Sequence, residues 1–236
     1  MEVLEKIKNG VIISCQAMKS EPLYEESAMQ ALIKEVLRAK PDGLRLAGVR
    51  DIKFVKENFS EIPVIGITKP DIIPENFKEL VYITPKIEDV DALASAGADI
   101  IAFDGTKRDR KTSVLDLINK IHQYKKLAMA DISTLEEGIE AEKFGADIVS
   151  TTLSGYVSGQ DKNMENPDFE LLQELIENIK IPVILEGRIW EPKDIKKAFE
   201  IGAYATVVGS AVTRPKDIVM RFIRKGKEWK KLWQLT

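Results

Sequence analysis

The amino-acid sequence predicts an α/β protein, a single (β/α)₈ TIM barrel with parallel strands, and three observations lead to that fold class. Eight short apolar runs alternate with longer amphipathic segments, and this alternation is typical of a parallel sheet. Eight such units in 236 residues fit a closed barrel better than an open doubly wound sheet, which usually has about five to seven strands. The third observation is a turn sequence that recurs between these units.

The predicted strands are short, rich in β-branched or small residues, and bounded by Gly, Pro or Asp. Runs of this kind indicate strands that are buried on both faces. The strands are expected at residues 10–15, 43–47, 63–68, 99–103, 127–130, 147–150, 182–185 and 206–208. An extra short strand is expected at residues 81–83, in the loop after the third strand. The clearest helical segments are residues 25–39, 87–96, 114–124, 134–144, 168–178 and 192–201.

The recurring turn joins the end of a helix to the next strand through Gly-Ala. It occurs at Gly97-Ala98, Gly145-Ala146 and Gly202-Ala203. Glycine tolerates the left-handed conformation that often ends a helix, so a helix that stops on Gly with a strand directly after it is expected three times. This repeat supports a barrel built from similar units.

One barrel domain is expected over residues 1–236, because no linker, low-complexity tract or charge block divides the chain. The basic segment from about residue 217 to residue 236 is expected to form a final helix. Packing on the barrel or on a second subunit is the expected role of that helix.

Composition excludes several classes of function. The net charge is −3 with both signs interspersed, which gives no general attraction to nucleic acid or to an anionic membrane. The amino-terminal residues lack the apolar core of a signal peptide, and no run approaches the ~20 apolar residues of a membrane span. With one cysteine, Cys15, no intramolecular disulfide can form, and we expect a cytoplasmic protein. A single histidine, His122, argues against a zinc site.

Polar residues stand at the carboxyl ends of the predicted strands, where a barrel of this class carries its active site. Lys69 follows the third strand and is the leading candidate for a proton-transferring group. Proton removal next to a carbonyl needs a neutral amine, although the ordinary pKa of lysine is about 10.4. Burial and a cation such as Arg45 would lower that pKa, whereas Glu186, after the seventh strand, would raise it.

A phosphate site is predicted at the loops after the last two strands, where barrels often hold this group. Gly187 and Gly209 allow backbone N–H groups to approach an anion. A helix that starts after Gly209, at Ser210, would direct its dipole at the phosphate, and Arg214 could add a charged contact.

Several stretches resemble the bacterial N-acetylmannosamine-6-phosphate 2-epimerase family. The matching stretches run in the same order through nearly the whole chain, and the three most specific are STTLSGY, LEGRI and VGSAVTRP, at residues 150–156, 185–189 and 208–215. Others are residues 14–17 (SCQA), 63–69 (PVIGITK), 83–85 (ITP), 94–104 (ASAGADIIAFD) and 129–134 (MADIST).

The resemblance implies a (β/α)₈ barrel, usually oligomeric, that converts N-acetylmannosamine 6-phosphate to N-acetylglucosamine 6-phosphate during sialic acid breakdown, with no redox cofactor. It implies that Lys69 is the acid/base and Glu186 its catalytic partner. It further implies sugar-binding roles for four residues, which are Gln16, Arg45, Asp131 and Arg188. Phosphate would bind near Gly187, Gly209, Ser210 and Arg214.

Four positions depart from the family pattern, at Gly105, Lys111, Lys86 and Val157, and they leave open a shifted preference among phosphorylated amino sugars. One base that reaches both faces of the substrate and two bases on opposite faces fit the sequence equally well. Two other functions remain open. In a lyase or synthase Lys69 would form a Schiff base, and in a non-catalytic barrel the phosphosugar would only be bound.

Overall fold

Eight parallel strands close into a barrel in chain order, and the eighth strand pairs back to the first. The structure is a computed structural model that describes residues 2–233, and its side chains are described up to residue 227. The strands are β1 (Gly10–Cys15), β2 (Gly43–Ala47), β3 (Val64–Ile67), β4 (Ile100–Asp104), β5 (Leu127–Asp131), β6 (Ile148–Ser150), β7 (Val183–Glu186) and β8 (Ala205–Val208). The predicted barrel is therefore confirmed.

Helices follow the strands and cover the outside of the barrel. They are α1 (Glu2–Ile7), α2 (Glu26–Arg38), α3 (Val49–Asn58), α4 (Ile87–Ser95), α5 (Val114–Gln123), α6 (Leu135–Lys143), α7 (Phe169–Asn178), α8 (Pro192–Ile201), α9 (Ser210–Thr213) and α10 (Pro215–Trp233). None of these helices, within the described part of the chain, is both long and apolar enough to cross a membrane.

Side chains alternate between the barrel interior and the layer under the helices, because successive residues of a strand point to opposite faces. In β2, Leu44 and Leu46 belong to the outer apolar layer, so Arg45 between them faces the interior. In β7, Ile184 belongs to the inner apolar cluster, and Glu186 two residues later faces the same way. The strand pattern thus directs charged residues inward near the carboxyl end of the barrel.

The opposite end of the barrel is closed by α1. Ile7 of this helix is fully buried in the inner apolar cluster. The hydroxyl of Tyr204, just before β8, donates to the carbonyl of Leu4 at 3.0 Å. The amino-terminal helix therefore fills the bottom of the barrel and leaves the other end for a site.

The three predicted Gly-Ala turns are confirmed. Gly97, Gly145 and Gly202 have φ values of 97°, 95° and 116°, in the region that favours glycine. Each stands one or two residues after the end of a helix and three residues before the start of a strand.

One predicted strand is absent from the structure, one helix had no clear sequence signal, and the final helix begins earlier than expected. Residues 81–83, all of them described, form no strand; they run as a loop with isolated hydrogen bonds to the strand edges rather than a ladder. Helix α3 has no clear signal in the sequence, because a single residue, Gly48, separates it from β2 and the helix is rich in charged residues. The final helix begins at Pro215, two residues before the expected start, and residues 234–236 of the expected helix lie outside the described residues.

Candidate active site

A pocket of about 840 Å³ opens at the carboxyl ends of the strands. Eight of the ten residues predicted for the site line this pocket. They are Gln16, Lys69, Glu186, Gly187, Arg188, Gly209, Ser210 and Arg214. The other two, Arg45 and Asp131, are 1% and 0% exposed and contact the pocket residues Glu186 and Thr152 from within the barrel.

Arg45 lies between two carboxylates in the barrel interior. Its Nη2 is 2.5 Å from Oδ2 of Asp131, and its Nη1 is 2.5 Å from Oε2 of Glu186. The hydroxyl of Thr152 lies 2.8 Å from Oδ1 of Asp131 and 3.1 Å from Oε2 of Glu186, so its one hydrogen can be donated to either carboxylate. One buried cation and one hydroxyl therefore join β2, β5, β7 and the loop after β6.

Burial and charge set the protonation of this group in opposite directions. Burial lowers the pKa of Arg45, but the carboxylates of Asp131 and Glu186 raise it by more. The pKa of Arg45 therefore lies above its ordinary value. Burial raises the pKa of Glu186 to about 7, against the lowering effect of Arg45. Arg45 thus stays charged, and Glu186 titrates near neutral pH.

Lys69 extends from the end of β3 into the pocket. Its amine donates to Oε1 of Gln16 at 2.8 Å. Burial lowers the pKa of Lys69 to about 8, and the nearby charge of Arg45 lowers it further, whereas Glu186 and Asp131 raise it. A substantial fraction of neutral amine is therefore present at slightly alkaline pH.

The partner of Lys69 is itself held on both sides. The amide of Gln16 donates to the hydroxyl of Ser14 at 2.8 Å, and its backbone carbonyl accepts from Nη1 of Arg214 at 3.0 Å. Arg214 also forms an ion pair with Glu21. These contacts fix the loop after β1 against the start of α10.

The predicted phosphate end of the pocket has the expected backbone. Gly187 has a φ of 104°, which favours glycine. Gly209 precedes α9, so the first N–H groups of that short helix are free of intrahelical partners. The hydroxyl of Thr213 donates to the carbonyl of Ser14 at 2.5 Å, which joins α9 to β1. The helix predicted to start after Gly209 is confirmed.

Arg188 holds the long loop between β6 and α7. Its guanidinium donates to the carbonyls of Ser154 at 2.5 Å and Asn166 at 2.7 Å, and it lies 5.8 Å from the ring centre of Tyr156. Its own φ is 58°. Arg188 lines the pocket, but most of its donors are used within the protein.

Sequence reasoning missed several residues of the pocket. Tyr82 and Tyr156 form apolar parts of the wall, and Thr152 joins the two carboxylates. The conspicuous TTLSGY stretch holds two of them and could have pointed to their place. Asp104, also a strand-end acid, does not line the pocket; it is fully buried and pairs with Arg108.

Within the described residues, no group of three or more His, Cys, Asp or Glu side chains is arranged to hold a metal ion. The charged residues of the site are arranged as pairs of opposite sign instead. The arrangement offers a titratable amine and a titratable carboxyl group in one pocket, with the start of α9 at one end of it.

Comparisons with known proteins identify the family of the chain. A family model described as putative N-acetylmannosamine-6-phosphate epimerase matches residues 29–228. A putative N-acetylmannosamine-6-phosphate 2-epimerase of Clostridium perfringens (strain ATCC 13124) is 47% identical over 223 residues, which are 93% of this chain and 98% of the relative. One from Caldanaerobacter subterraneus subsp. tengcongensis is 44% identical over 232 residues, 97% of this chain and 95% of the relative.

Among solved structures, one shares only its fold with this chain, and another is similar in sequence as well. The tryptophan synthase α-subunit of Pyrococcus furiosus, with a TM-score of 0.62 and 13% identity over 94% of this chain and 97% of the other, shares the fold alone. The N-acetylmannosamine-6-phosphate 2-epimerase from Clostridium perfringens has a TM-score of 0.87 and 45% identity, over 94% of this chain and 95% of the other.

A closed parallel barrel with a polar pocket at the carboxyl ends of its strands defines the class of (β/α)₈-barrel enzymes. Members of this class differ in their loops and pocket residues, so the class alone does not set the reaction. Identity over nearly the full length does assign the family. The chain belongs to the N-acetylmannosamine-6-phosphate 2-epimerase family.

We expect Arg45→Met to lower the free energy of unfolding by about 3–5 kcal/mol at pH 8, because two buried carboxylates would lose their cation. The loss should be smaller at pH 5, since the unpaired carboxyl groups then take up protons in the folded state. Guanidinium chloride unfolding at both pH values measures the difference. Arg38→Met, which removes an exposed ion pair with Glu35, is the control and should change stability little. Equal losses at both pH values would contradict the expectation.

Proposed function

We propose that this chain interconverts N-acetylmannosamine 6-phosphate and N-acetylglucosamine 6-phosphate, by removal and return of the proton at C2 without a redox cofactor, as a step in amino sugar breakdown. The observation that carries the proposal is Lys69, an amine with a pKa lowered to about 8 that projects into the barrel pocket of an epimerase-family chain. An amine of this kind is a suitable base for a carbon acid next to a carbonyl.

The proposed reaction begins with the open-chain sugar, whose C1 aldehyde acidifies the hydrogen at C2. Lys69 takes this proton, and negative charge develops on the carbonyl oxygen as the enolate forms. Donors in the pocket stabilise that charge, and a proton then returns to the opposite face of C2. The covalent frame of the sugar is unchanged, because only the configuration at C2 is reversed.

Glu186 is the proposed catalytic partner of Lys69. Its pKa of about 7 lets it carry or release a proton near neutral pH. In a two-base route Glu186 would return the proton to the second face of C2, and in a one-base route it would orient the sugar while Lys69 reaches both faces. Both routes remain within the proposal.

Binding roles are proposed for the remaining site residues. Gln16, beside the amine of Lys69, and Arg188, at the pocket edge, would contact the sugar. Arg45 and Asp131 would act on the sugar from the pocket base, where they contact Glu186 and Thr152. The phosphate would lie on the backbone of Gly187, Gly209 and Ser210, with Arg214 close by; this placement follows the free N–H groups at the start of α9.

We also propose that the chain acts as a homodimer or other homo-oligomer. Helix α10 exposes four large apolar side chains close together, and helix faces of this kind are usually covered by a partner. They are Val219, Met220, Phe222 and Ile223, exposed by 51–75%. The expectations of a cytoplasmic location and of no nucleic-acid or membrane partner remain predictions from composition.

Lys69→Ala is expected to abolish turnover of N-acetylmannosamine 6-phosphate, because the group proposed to take the C2 proton of this sugar would be lost. The assay follows the C1 and C2 proton signals by NMR in deuterium oxide, where the wild-type product should carry deuterium at C2. If the wild-type protein leaves N-acetylmannosamine 6-phosphate unchanged, the result contradicts the proposal. Borohydride added with substrate should leave Lys69 unmodified; covalent trapping would indicate a Schiff-base lyase or synthase instead.

We expect kcat/KM to rise with pH as the amine of Lys69 loses its proton, and Glu186→Gln should move this rise to lower pH. The charge of Glu186 raises the pKa of Lys69, so its removal should bring that pKa below about 8. The pH profile of kcat/KM reports the free enzyme and measures the shift, even when the rate is reduced. Glu177→Gln, on the outer surface of α7, is the control and should leave the profile in place. A profile that stays in place or moves to higher pH in Glu186→Gln would contradict the assignment of this rise to Lys69.

Phe222→Glu should convert the proposed oligomer to monomer, since it places a charge at the most exposed of the four apolar residues of α10. Sedimentation equilibrium measures the mass. Leu115→Glu, at an exposed apolar residue of α5, is the matched control and should leave the mass unchanged. A wild-type protein that is monomeric at micromolar concentration would refute the oligomer.

A further inference from the structure

Strands β3 and β4 separate before they reach the pocket. They share only two register pairs, Ile65 with Ile100 and Gly66 with Ile101. Strands β4 and β5, by contrast, remain paired up to Asp104 and Asp131. The barrel wall therefore has a gap directly beside the end of β3, where Lys69 begins.

Residues 82–84, here called the inserted segment, occupy this gap. The carbonyl of Ile83 accepts from the N–H of Asp104 at 3.1 Å, and the N–H of Thr84 donates to the carbonyl of Thr68 at 3.2 Å. Ile83 and Thr84 are 3% and 0% exposed. The inserted segment thus bridges the two separated strands at the level of the pocket.

Thr84 makes a second contact with the same residue. Its side-chain hydroxyl accepts from the N–H of Thr68 at 3.1 Å. Both backbone polar groups of Thr68 are therefore bound to Thr84, one through the backbone and one through the side chain. Because Thr84 is fully buried, water is not at hand to replace either bond if it is lost.

The backbone of Thr84 is in an unfavourable conformation. Its φ is 46°, in the left-handed region that a β-branched residue rarely adopts. Glycine or asparagine would enter this region more readily, but glycine has no side chain to accept the N–H of Thr68. Residues held in such conformations cluster at functional sites, and here the strained residue is bonded to the residue before Lys69.

Lys69 lies between two constraints. On one side the peptide of Thr68 is bound by Thr84, and on the other Pro70 restricts the backbone of the residue before it to extended conformations. The start of the lysine side chain is therefore fixed by its neighbours, and its end is fixed by Gln16 at 2.8 Å.

We propose that Thr84 is a positioning residue for Lys69: its hydroxyl holds the Thr68 peptide so that the lysine amine stays beside Gln16 and close to Arg45. This inference rests on the proposed function, in which Lys69 is the base. Thr84 does not line the pocket and acts only through its neighbour. A shift of about 1 Å in a reacting group can lower a rate by about a hundredfold, so the position of this peptide matters for the chemistry.

The inserted segment has an independent anchor, so a change at Thr84 should not unfold the loop. The ring of Phe77 packs edge-on against Tyr82, with ring centres 6.3 Å apart. The carbonyl of Phe77 accepts from Arg108 at 2.9 Å, and Arg108 pairs with the buried Asp104. Variants of Thr84 can therefore be compared as folded proteins.

Thr84→Ser and Thr84→Ala form the decisive pair, since they differ from each other only in the hydroxyl. Thr84→Ser should keep most of the wild-type kcat. Thr84→Ala should lower kcat by about tenfold to a hundredfold with little change in KM, because the substrate contacts are untouched. Thr206→Val is the control for loss of a buried hydroxyl elsewhere in the barrel; Thr206 has no hydrogen-bond partner for its hydroxyl among the described residues, and its loss should leave kcat unchanged.

A second readout reports on Lys69 without turnover. Competitive acetylation with acetic anhydride across pH, read by mass spectrometry of the peptide that contains Lys69, gives the pKa of its amine. That pKa should lie near 8 in the wild type and in Thr84→Ser, and move towards its ordinary value of 10.5 in Thr84→Ala as the amine leaves its buried position. Simple destabilisation would lower the melting temperature without moving this pKa.

The outcomes separate the two proposals. If Thr84→Ser and Thr84→Ala have the same kcat and the same Lys69 pKa, the positioning role is overturned while the function of the chain stands. If the wild-type protein leaves N-acetylmannosamine 6-phosphate unchanged, the proposed function fails; a pKa shift in Thr84→Ala would then still show that Thr84 positions the lysine, and an unshifted pKa would overturn that role as well.

Discussion

The buried cation of Arg45 is the constraint on which the arrangement of the site depends. A charge enclosed in a barrel is tolerated only if carboxylates and hydrogen bonds replace the water it has lost. Asp131 and Glu186 supply those carboxylates from strands on other sides of the barrel, and the hydroxyl of Thr152 lies within hydrogen-bonding distance of both. The base of the pocket is therefore polar, closely packed and fixed in geometry, although the rest of the interior is apolar.

The same cation helps to explain how a lysine next to a carboxylate can lose its proton at moderate pH and so act as a base. A free Glu186 would hold the proton on Lys69, but its charge is shared with Arg45 at 2.5 Å. Burial then has the larger influence on the pKa of Lys69, and the charge of Arg45 acts in the same direction. Burial keeps Glu186 itself close to titration at neutral pH. A proposed base and its proposed partner thus share one electrostatic environment.

Sequence patterns predicted the strands, the helix caps and the strand-end residues, because alternation, glycine and chain length carry that information locally. The direction of a strand-end side chain follows from the alternation along its strand, and both Glu186 and Asp104 are in phase with inner residues, Ile184 and Ala102. Alternation alone does not tell that Glu186 lines the pocket whereas Asp104 is buried against Arg108. The separation of β3 and β4 could not be predicted, since it depends on the pairing register of distant strands. Residues 81–83 are β-branched or aromatic, and this local composition favours a strand. No local pattern indicates that Thr84 contacts the peptide of Thr68.

Arg45 also has a consequence for the order in which the molecule assembles. It is separated by 86 residues from Asp131 and by 141 residues from Glu186 along the chain. Contacts over such distances form only after long loops have closed, so they come late in folding. A partly made barrel would still contain Lys69, but not the closed pocket that buries its amine and lowers its pKa. The chemistry proposed for this amine therefore emerges only in the complete barrel, and fragments that end before β7 would carry an ordinary lysine.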